Sequence, residues 1–433
     1  MQAISEHNPG GFVVSAAGCV PRLLRTAPGV ESLDAYRADG GYRPVGSTDE
    51  LLAEIRTSGL LGRGGAAFPL ATKLTSVRAA GRRRGGAVVV ANGEEGEPAA
   101  IKDKWLLRHR PHLVLDGLRL AARLTGARRS VIYLSDPVAA HRVHEAVIEL
   151  GAAGIADVEI VDVPPGYVAG EETAAVRAID GGPAHPTDKP PRPFQRGVGG
   201  LPTLVSNVET LAHLPFVHHE GGAAFRSVGT EQSPGTFLAT VTGGAGAPGL
   251  YELPHGFEVA ALLDVHGIDP GVVRGALMGG YFTGMLDRAV LTTTLDHESL
   301  RALGSGLGCG AVSFVTAECP VAVAAAVLAY FDRENAGQCG SCFHGTAAMA
   351  AAATGLYEHR ATAEDLTRLR RWSTTLRGRG ACGTLDAAAN TAASLLDRFP
   401  GDVETHLHRH CATCAGTPPL PLRPFAVETA VPA

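Results

Sequence analysis

The stretch Ala87-Val88-Val89-Val90-Ala91-Asn92-Gly93-Glu94-Glu95-Gly96-Glu97-Pro98 decides the fold. Its first five residues are apolar without interruption, which reads as a short strand buried on both faces, as in a parallel sheet covered by helices. Three glutamates follow within four residues. Such a turn is ordinarily a solvated acidic loop. Placed at the carboxyl end of a buried strand, where open α/β sheets bind ligands, it reads as a site whose carboxylates accept hydrogen bonds from ribose or ribityl hydroxyls.

The pattern extends in both directions. Upstream, Thr48–Thr57 reads as a helix capped by Ser47 or Thr48, with Leu51, Leu52 and Ile55 on one face. Downstream, a helix over Pro111–Leu124, a strand over Ser130–Leu134, a helix over Val138–Leu150 and a strand over Val158–Val163 alternate. Strands alternating with helices imply an α/β domain with a parallel sheet. Residues 180–200 are too rich in Pro and Gly for regular structure. Thr236–Thr242, a Gly-Ala-Pro-Gly turn at 246–249, Leu250–Leu253 and Val259–Val265 then read as a small β-rich domain. From Val321 to Leu396 the chain is Ala-rich and helical.

Bulk properties narrow the function. A chain of 433 residues implies two to four domains. A net charge of −5, with 19% charged residues, gives no basic footprint for nucleic acid or anionic membranes. The N-terminus carries no apolar signal core, and the longest strongly apolar run, Val321 to Tyr330, is far short of the roughly 20 residues needed to span a bilayer. The chain is expected in the cytoplasm, or held peripherally at the inner face of the cell membrane by partners. Eight cysteines in a long chain of this kind indicate metal or redox use for some of them, not a disulfide framework. Of 38 Lys and Arg only four are Lys: Lys73, Lys102, Lys104 and Lys189. All four lie in or beside the Gly-rich and acidic segments, as if a compact ammonium were required there.

Five further segments bear on chemistry. Gly62-Arg63-Gly64-Gly65-Ala66-Ala67-Phe68-Pro69 has glycines that let successive N–H groups approach a phosphate, with Lys73 close behind; an ordinary turn explains the same glycines. Tyr167-Val168-Ala169-Gly170-Glu171-Glu172-Thr173 opens a helix after a strand, and Lys189-Pro190-Pro191-Arg192-Pro193 leads on to Pro202-Thr203-Leu204-Val205-Ser206-Asn207-Val208-Glu209-Thr210. Further on, Glu334-Asn335-Ala336-Gly337-Gln338-Cys339-Gly340-Ser341-Cys342, followed by a lone Cys382, reads as an iron–sulfur run C-x2-C-x2-C…C in which Ala336 stands in the first cysteine's place. Buried, unliganded cysteines are the alternative. The run His406-x-His408-x-His410-Cys411-x2-Cys414 is metal-like in composition, and a disordered tail is its bland alternative.

Taken in order, these segments resemble the NADH-binding FMN flavoprotein subunit of respiratory complex I (the F type) and the related diaphorase subunits of hydrogenases and formate dehydrogenases. The resemblance runs from Leu33-Asp34-Ala35-Tyr36 and Gly40-Gly41-Tyr42 to the cysteine region. It implies an N-terminal extension (1–45), a Rossmann-like FMN domain (46–232), a ubiquitin-like β-grasp domain (233–316), a helical bundle for a [4Fe-4S] cluster (317–402) and a Cys/His-containing, Pro-rich tail (403–433). Gly62, Arg63, Gly64, Gly65, Lys73, Asn92, Glu94, Tyr167, Gly170, Glu171, Glu172, Ser206, Asn207 and Thr210 would line the flavin and its phosphate. Glu95 and Glu97 would face the hydroxyls of NAD(P)H, and Lys189 its phosphates. Cys339, Cys342 and Cys382 would hold the cluster. Hydride passes directly to the flavin, so no acid–base catalytic residue is expected. Ferredoxin-like and larger electron-transfer subunits are the implied partners.

Four departures qualify this picture. Glu94 replaces the family's Asp, and Ser206 the first Asn of an Asn-Asn pair. Arg192 and Ser76 stand where the family has aromatic residues for nucleotide stacking, which is worth roughly 1–3 kcal/mol per contact; Arg192 could instead favour NADPH. Ala336 leaves the cluster one thiolate short, with Cys309, His344, Cys411 and Cys414 as candidate replacements, and a three-iron cluster, a non-protein ligand, zinc or an empty site as alternatives. The expected activity is hydride transfer from NAD(P)H to FMN and single-electron transfer through the cluster to a partner protein. A non-catalytic assembly subunit and a flavoprotein reduced by a ferredoxin-like donor are the competing readings.

Overall fold

The computed structural model describes residues 4–7, 12–25, 29–152, 158–416 and 419–427. The strand Ala87–Asn92 lies at the centre of the first domain, with Ala87 to Ala91 fully buried. It pairs in parallel with Ala127–Leu134 on one side and with Thr203–Asn207 on the other, and Glu159–Asp162 lies beyond Ala127–Leu134. Alternate side chains enter opposite cores. Val89 and Ala91 pack with the helices Leu70–Arg84, Pro111–Thr125 and Pro137–Ala152, whereas Val88 and Val90 join Val131, Tyr133, Val205 and Ala175 of the helix Glu172–Ile179. In chain order the strands run third, second, first, fourth across the sheet. The direction of winding therefore reverses between Ala87–Asn92 and Thr203–Asn207, and the crevice at their carboxyl ends is the topological switch point.

The second domain has the β-grasp arrangement. Its first and last strands, Thr236–Thr242 and Ala311–Val315, pair in parallel at the centre, flanked antiparallel by Gly249–Pro254 and Gly275–Met278. The stretch 259–265, expected within the β-rich pattern, is instead the helix Val259–His266. Its buried residues Val259, Leu262 and Leu263 follow the i, i+3, i+4 rule, and Gly267 ends it at φ 78°.

The expected N-terminal extension is in part sheet. Val13–Ala16 pairs in parallel with Gly249–Pro254 and antiparallel with Ile4–His7. Strands of four residues carry too few positions for a legible period-2 signal. Buried Glu252 secures the following segment by accepting from the amides of Arg22, Leu23 and Leu24, each at 2.9 Å.

The third region is a bundle of the helices Pro320–Glu334, Gly340–Tyr357, Ala363–Thr375, Thr384–Arg398 and Pro400–His408. Its core of Val323, Val327, Phe331, Met349, Leu385 and Leu395 is continuous with Tyr281 and Met285 of the second domain. No helix among the described residues is long and apolar enough to cross a membrane.

Candidate flavin and iron–sulfur sites

Asn92 and Asn207 end the two strands that flank the switch point, and each organises a loop. Asn92 donates to the Gly170 carbonyl at 2.8 Å and accepts from the Glu94 amide at 3.4 Å. Asn207 accepts from the Glu209 amide at 3.0 Å, capping the helix Val208–Ala212, and donates to Asp103 at 2.6 Å. Gly170 must be glycine, because a Cβ there would lie 2.9 Å from the Glu94 carbonyl oxygen. Glu94 in turn accepts from the Gly166 amide at 3.2 Å. Ser206 is buried one residue before Asn207.

The glycine loop folds over this crevice. A Cβ at Gly64 would stand 3.1 Å from Asn207 Cβ, so the backbone abuts the switch point directly. Gly64, Gly65 and Ala66 are exposed, and a Cβ at Gly65 would meet nothing nearer than the Gly308 carbonyl carbon at 3.9 Å. The loop is anchored from behind: Gly62 N–H donates to the Phe68 carbonyl at 3.0 Å, and Arg63 N–H to Thr210 Oγ1 at 2.8 Å. Lys73 Nζ donates to the Val205 carbonyl at 2.6 Å and lies 3.5 Å from Glu172. An open, glycine-lined backbone, an ammonium, and Asn and Ser side chains at a sheet switch point form a donor set that fits FMN: N–H groups and positive charge for its phosphate, neutral polar groups for its ribityl chain.

Several expected ligands have other partners here. The Arg63 guanidinium is buried and donates to the carbonyls of Thr236 at 3.0 Å, Pro234 at 3.2 Å and Leu61 at 3.1 Å. It ties the loop to the β-grasp domain and does not reach the loop's open face; burial lowers it to about 10, with Glu209 opposing. Glu95 accepts from the amides of Asp103 and Lys104, both at 3.1 Å, and so caps the helix Lys102–His109. Burial pushes its carboxyl to about 7, Asp103 adding to the shift while Lys102 and Lys104 oppose it. Glu97 accepts from the Tyr281 amide at 3.0 Å, and burial raises it to about 8 against that hydrogen bond. Lys189 pairs with Glu171 at 2.6 Å, while Glu171 caps its helix by accepting from the amides of Thr173 and Ala174.

Beneath the crevice lies a charged layer that the sequence pattern does not announce. Lys102 is fully buried, its Nζ 2.7 Å from Asp103 and 3.0 Å from Glu209. Burial works against its charge, yet Asp103, Glu209 and Glu95 hold its pKa above the ordinary lysine value. Glu209 also accepts from the Leu238 amide at 2.9 Å, linking the layer to the β-grasp sheet. The scarcity of lysine is the one signal in the sequence that points to it.

A second site lies in the helical region. Cys339, Cys342 and Cys382 converge on a small pocket lined also by Ala336, Gly337, Gln338, Gly380, Ala381 and Pro186. Cys339 precedes the first residue of the helix Gly340–Tyr357 and Cys342 lies in its first turn; Cys382 comes from the loop before Thr384–Arg398. The Ala381 amide donates to Cys339 Sγ at 3.4 Å. Burial pushes the Cys342 thiol up to about 12, and Cys382 and Cys339 add to this. Three converging sulfurs fit an iron–sulfur cluster held by three protein thiolates, with Ala336 on the wall where a fourth would be. Of the candidate replacements, Cys309 donates to the Gly279 carbonyl, His344 is exposed against Phe343, and Cys411 and Cys414 belong to another group of side chains. None of the four lines the pocket.

The two sites are joined. Arg177 donates to Gln338 at 3.0 Å, and Gln338 to the Pro186 carbonyl at 2.8 Å, bringing the flavin-domain loops against the cysteine pocket. Tyr167 packs edge-on against Tyr330 and Phe331, with ring centroids 5.7 and 5.2 Å away. Burial holds its hydroxyl well above the usual tyrosine range, and Glu97, Cys309 and Cys382 act on it in the same direction.

Residues 55–215 match the Nuo51 FMN-binding domain, and residues 322–406 match the NADH-ubiquinone oxidoreductase-F iron-sulfur binding region. The chain is 32% identical over 418 residues to the NADH-quinone oxidoreductase F subunit 2 of Rhizobium meliloti (strain 1021), covering 90% of this chain and 99% of that protein. It is 32% identical over 398 residues to the NADH-quinone oxidoreductase F subunit of Streptomyces coelicolor (strain ATCC BAA-471 / A3(2) / M145), covering 87% and 88%. Among solved structures, an NAD+-reducing [NiFe]-hydrogenase in the H2-reduced state superimposes with a TM-score of 0.77 at 30% identity. That match covers 84% of this chain, and the chain spans 64% of the hydrogenase chain's length. With both sites in place and nearly the whole of a relative matched, the chain belongs to the family of NADH-quinone oxidoreductase F subunits.

Proposed function

We propose that this chain oxidises a reduced nicotinamide nucleotide at the switch-point crevice and delivers electrons singly to a partner subunit by way of Cys339, Cys342 and Cys382. The observation that carries the reading is the junction of the flavin domain with the three-cysteine pocket, where Arg177 and Pro186 of that domain bond to Gln338 on the pocket wall. Bound FMN supplies hydride acceptance and one-electron release, and an iron–sulfur cluster supplies one-electron transfer. The chain's own residues bind and orient. Amides of Gly64, Gly65 and Ala66 with Lys73 serve the phosphate, while Asn92, Glu94, Gly170, Ser206, Asn207 and Thr210 shape the floor and walls. Glu95, Glu97, Glu171 and Lys189 hold the surrounding loops.

Nucleotide recognition is altered relative to the family's aromatic clamp. Arg192 is exposed, and the Ser76 hydroxyl donates back to the Thr72 carbonyl at 2.9 Å within its own helix. Neither side chain offers an aromatic ring, which supports weaker adenine stacking. The guanidinium of Arg192 is free to stack or to meet a 2′-phosphate, favouring NADPH. A small ferredoxin-like subunit and a larger electron-transfer subunit are the partners this reading requires, with the chain in the cytoplasm or attached through them to the inner face of the membrane.

The test is direct. The chain purified without oxygen should release FMN on denaturation, and NADH or NADPH should bleach the bound flavin. Bound flavin bleached by dithionite but by neither nucleotide would overturn the proposal.

A further inference from the structure

A second set of metal-ligating side chains lies apart from the cysteine pocket. Cys319, His406, Cys411 and Cys414 each offer one ligand atom, and the four atoms lie within 4.8 Å of one another. We propose that these four residues form a closed tetrahedral site for one zinc ion that pins the C-terminal segment to the helical bundle.

The distances carry the argument. His406 Nε2 lies 3.7 Å from Cys319 Sγ and 3.3 Å from Cys414 Sγ, and Cys411 Sγ lies 4.0 Å from Cys319 Sγ. With Zn–S near 2.3 Å and Zn–N near 2.0 Å, a tetrahedral ion needs S···S edges of about 3.8 Å and S···N edges of about 3.5 Å. The four atoms thus enclose the space of a single ion and are too close together to span a multi-iron cluster. Cys319, His406 and Cys411 are buried and Cys414 is half-buried, so three thiols and an imidazole share one corner of the interior.

The surroundings are those of a ligand histidine. His406 Nδ1 lies 3.0 Å from the Asp402 carbonyl. That contact places the ring proton on Nδ1 and leaves the Nε2 lone pair facing the sulfurs. His359 stacks on the same ring with centroids 4.9 Å apart, and its Nδ1 lies 2.9 Å from the His406 carbonyl. The ligands come from separate elements. Cys319 precedes the helix Pro320–Glu334, His406 lies in Pro400–His408, and Cys411 and Cys414 flank and enter the helix Ala412–Gly416. His408 and His410, in the same sequence run, are exposed and outside the group. Binding releases three thiol protons, one from each cysteine, and four protein ligands leave no open position, so the site is structural and not catalytic.

The pinned segment reaches the flavin side. Arg333 donates to the Leu422 carbonyl at 2.8 Å, Tyr281 OH to the Pro424 carbonyl, and the Val427 amide to the Pro98 carbonyl at 3.1 Å. Pro98 immediately follows Glu97, whose carboxylate holds the Tyr281 amide. Zinc would therefore brace the acidic loop from outside.

The test is metal analysis of the full chain produced in zinc-containing medium and purified without oxygen. About one zinc per chain is expected, retained in Cys339→Ser/Cys342→Ser and lost at least tenfold in Cys411→Ser/Cys414→Ser while FMN and iron stay bound. Should that double variant fail to fold, the native chain answers alone. A mercurial should release one zinc to a chromogenic chelator, and Co2+ in its place should show the spectrum of a tetrahedral thiolate site. A zinc-free native chain with Cys319, Cys411 and Cys414 titrating as free thiols would overturn the proposal, as would zinc that disappears with Cys339 and Cys342 instead.

Discussion

The Ala381 amide donates to Cys339 Sγ at 3.4 Å, so the loop that carries Cys382 is folded onto the loop that carries Cys339. The pocket is therefore shaped by the chain, and its wall includes Ala336, which the C-x2-C-x2-C pattern places where a first cysteine would stand. Ala336→Cys is expected to raise bound iron by about one per chain and to change the EPR signature from a three-thiolate to a four-thiolate cluster. Asn335 already accepts from the Gly337 amide at 2.9 Å, so the loop conformation should survive the change. Unchanged iron content and spectra in the variant would show that another group completes the native cluster.

The buried Lys102 layer supports the crevice from below. Lys102→Met leaves Asp103 and Glu209 buried without their cation. Breaking such a network costs about 3–5 kcal/mol. Denaturant unfolding should show that loss, and FMN retention should fall with it. A loss below about 1 kcal/mol, within the range of exposed ion pairs, would mean that the layer is solvated in solution.

Glu97 sets a pH dependence. Its folded carboxyl is raised to about 8 from an ordinary value of 4.5, mainly by burial. Between these values the folded chain binds more protons than the unfolded one, so stability falls as pH rises through that window and levels off above it. Glu95, raised to about 7, acts in the same direction. In Glu97→Gln the melting temperature should fall less steeply from pH 5 to 8 than in the native chain. An equally steep fall would remove Glu97 as a source of the dependence.

Much of this architecture is legible in the sequence, for reasons that differ by segment. Ala87–Asn92 carries five apolar residues in a row, and the acidic loop directly after it marks the switch point. Cys339, Cys342 and Cys382, grouped in the sequence by the C-x2-C spacing and the family resemblance, line one pocket. Side-chain direction is not legible in the sequence. Glu95 and Glu97 look like ligands for hydroxyls, but helix 102–109 and the Tyr281 loop, both brought in by tertiary packing, present them with backbone N–H groups. Arg63 looks like a phosphate ligand, yet three carbonyls reach it from the glycine loop and the β-grasp domain. Cys319 suggests nothing in the sequence, because its partners lie at least 87 residues away.

Arg192 and Ser76 predict the nucleotide preference. Restoring aromatic rings with Arg192→Phe and Ser76→Phe should strengthen NADH binding, each by roughly 1–3 kcal/mol if its ring stacks on adenine, or about five- to 150-fold in KM. Arg192→Phe alone should also lower the NADPH-to-NADH ratio of kcat/KM. Steady-state kinetics with an artificial acceptor measures both, and a ratio unmoved by the substitution would detach Arg192 from the choice of nucleotide.

We propose that one chain carries electrons from the nucleotide crevice to the three-cysteine pocket. Low-temperature EPR of the anaerobic, metal-loaded chain, recorded before and after stoichiometric addition of the nucleotide that bleaches its flavin, tests it most directly. A cluster signal should change on addition in the native chain and be absent in Cys382→Ser, whose flavin should still bleach. A native cluster whose signal stays the same after the flavin is reduced, although dithionite alters it, would rule out electron transfer from crevice to pocket.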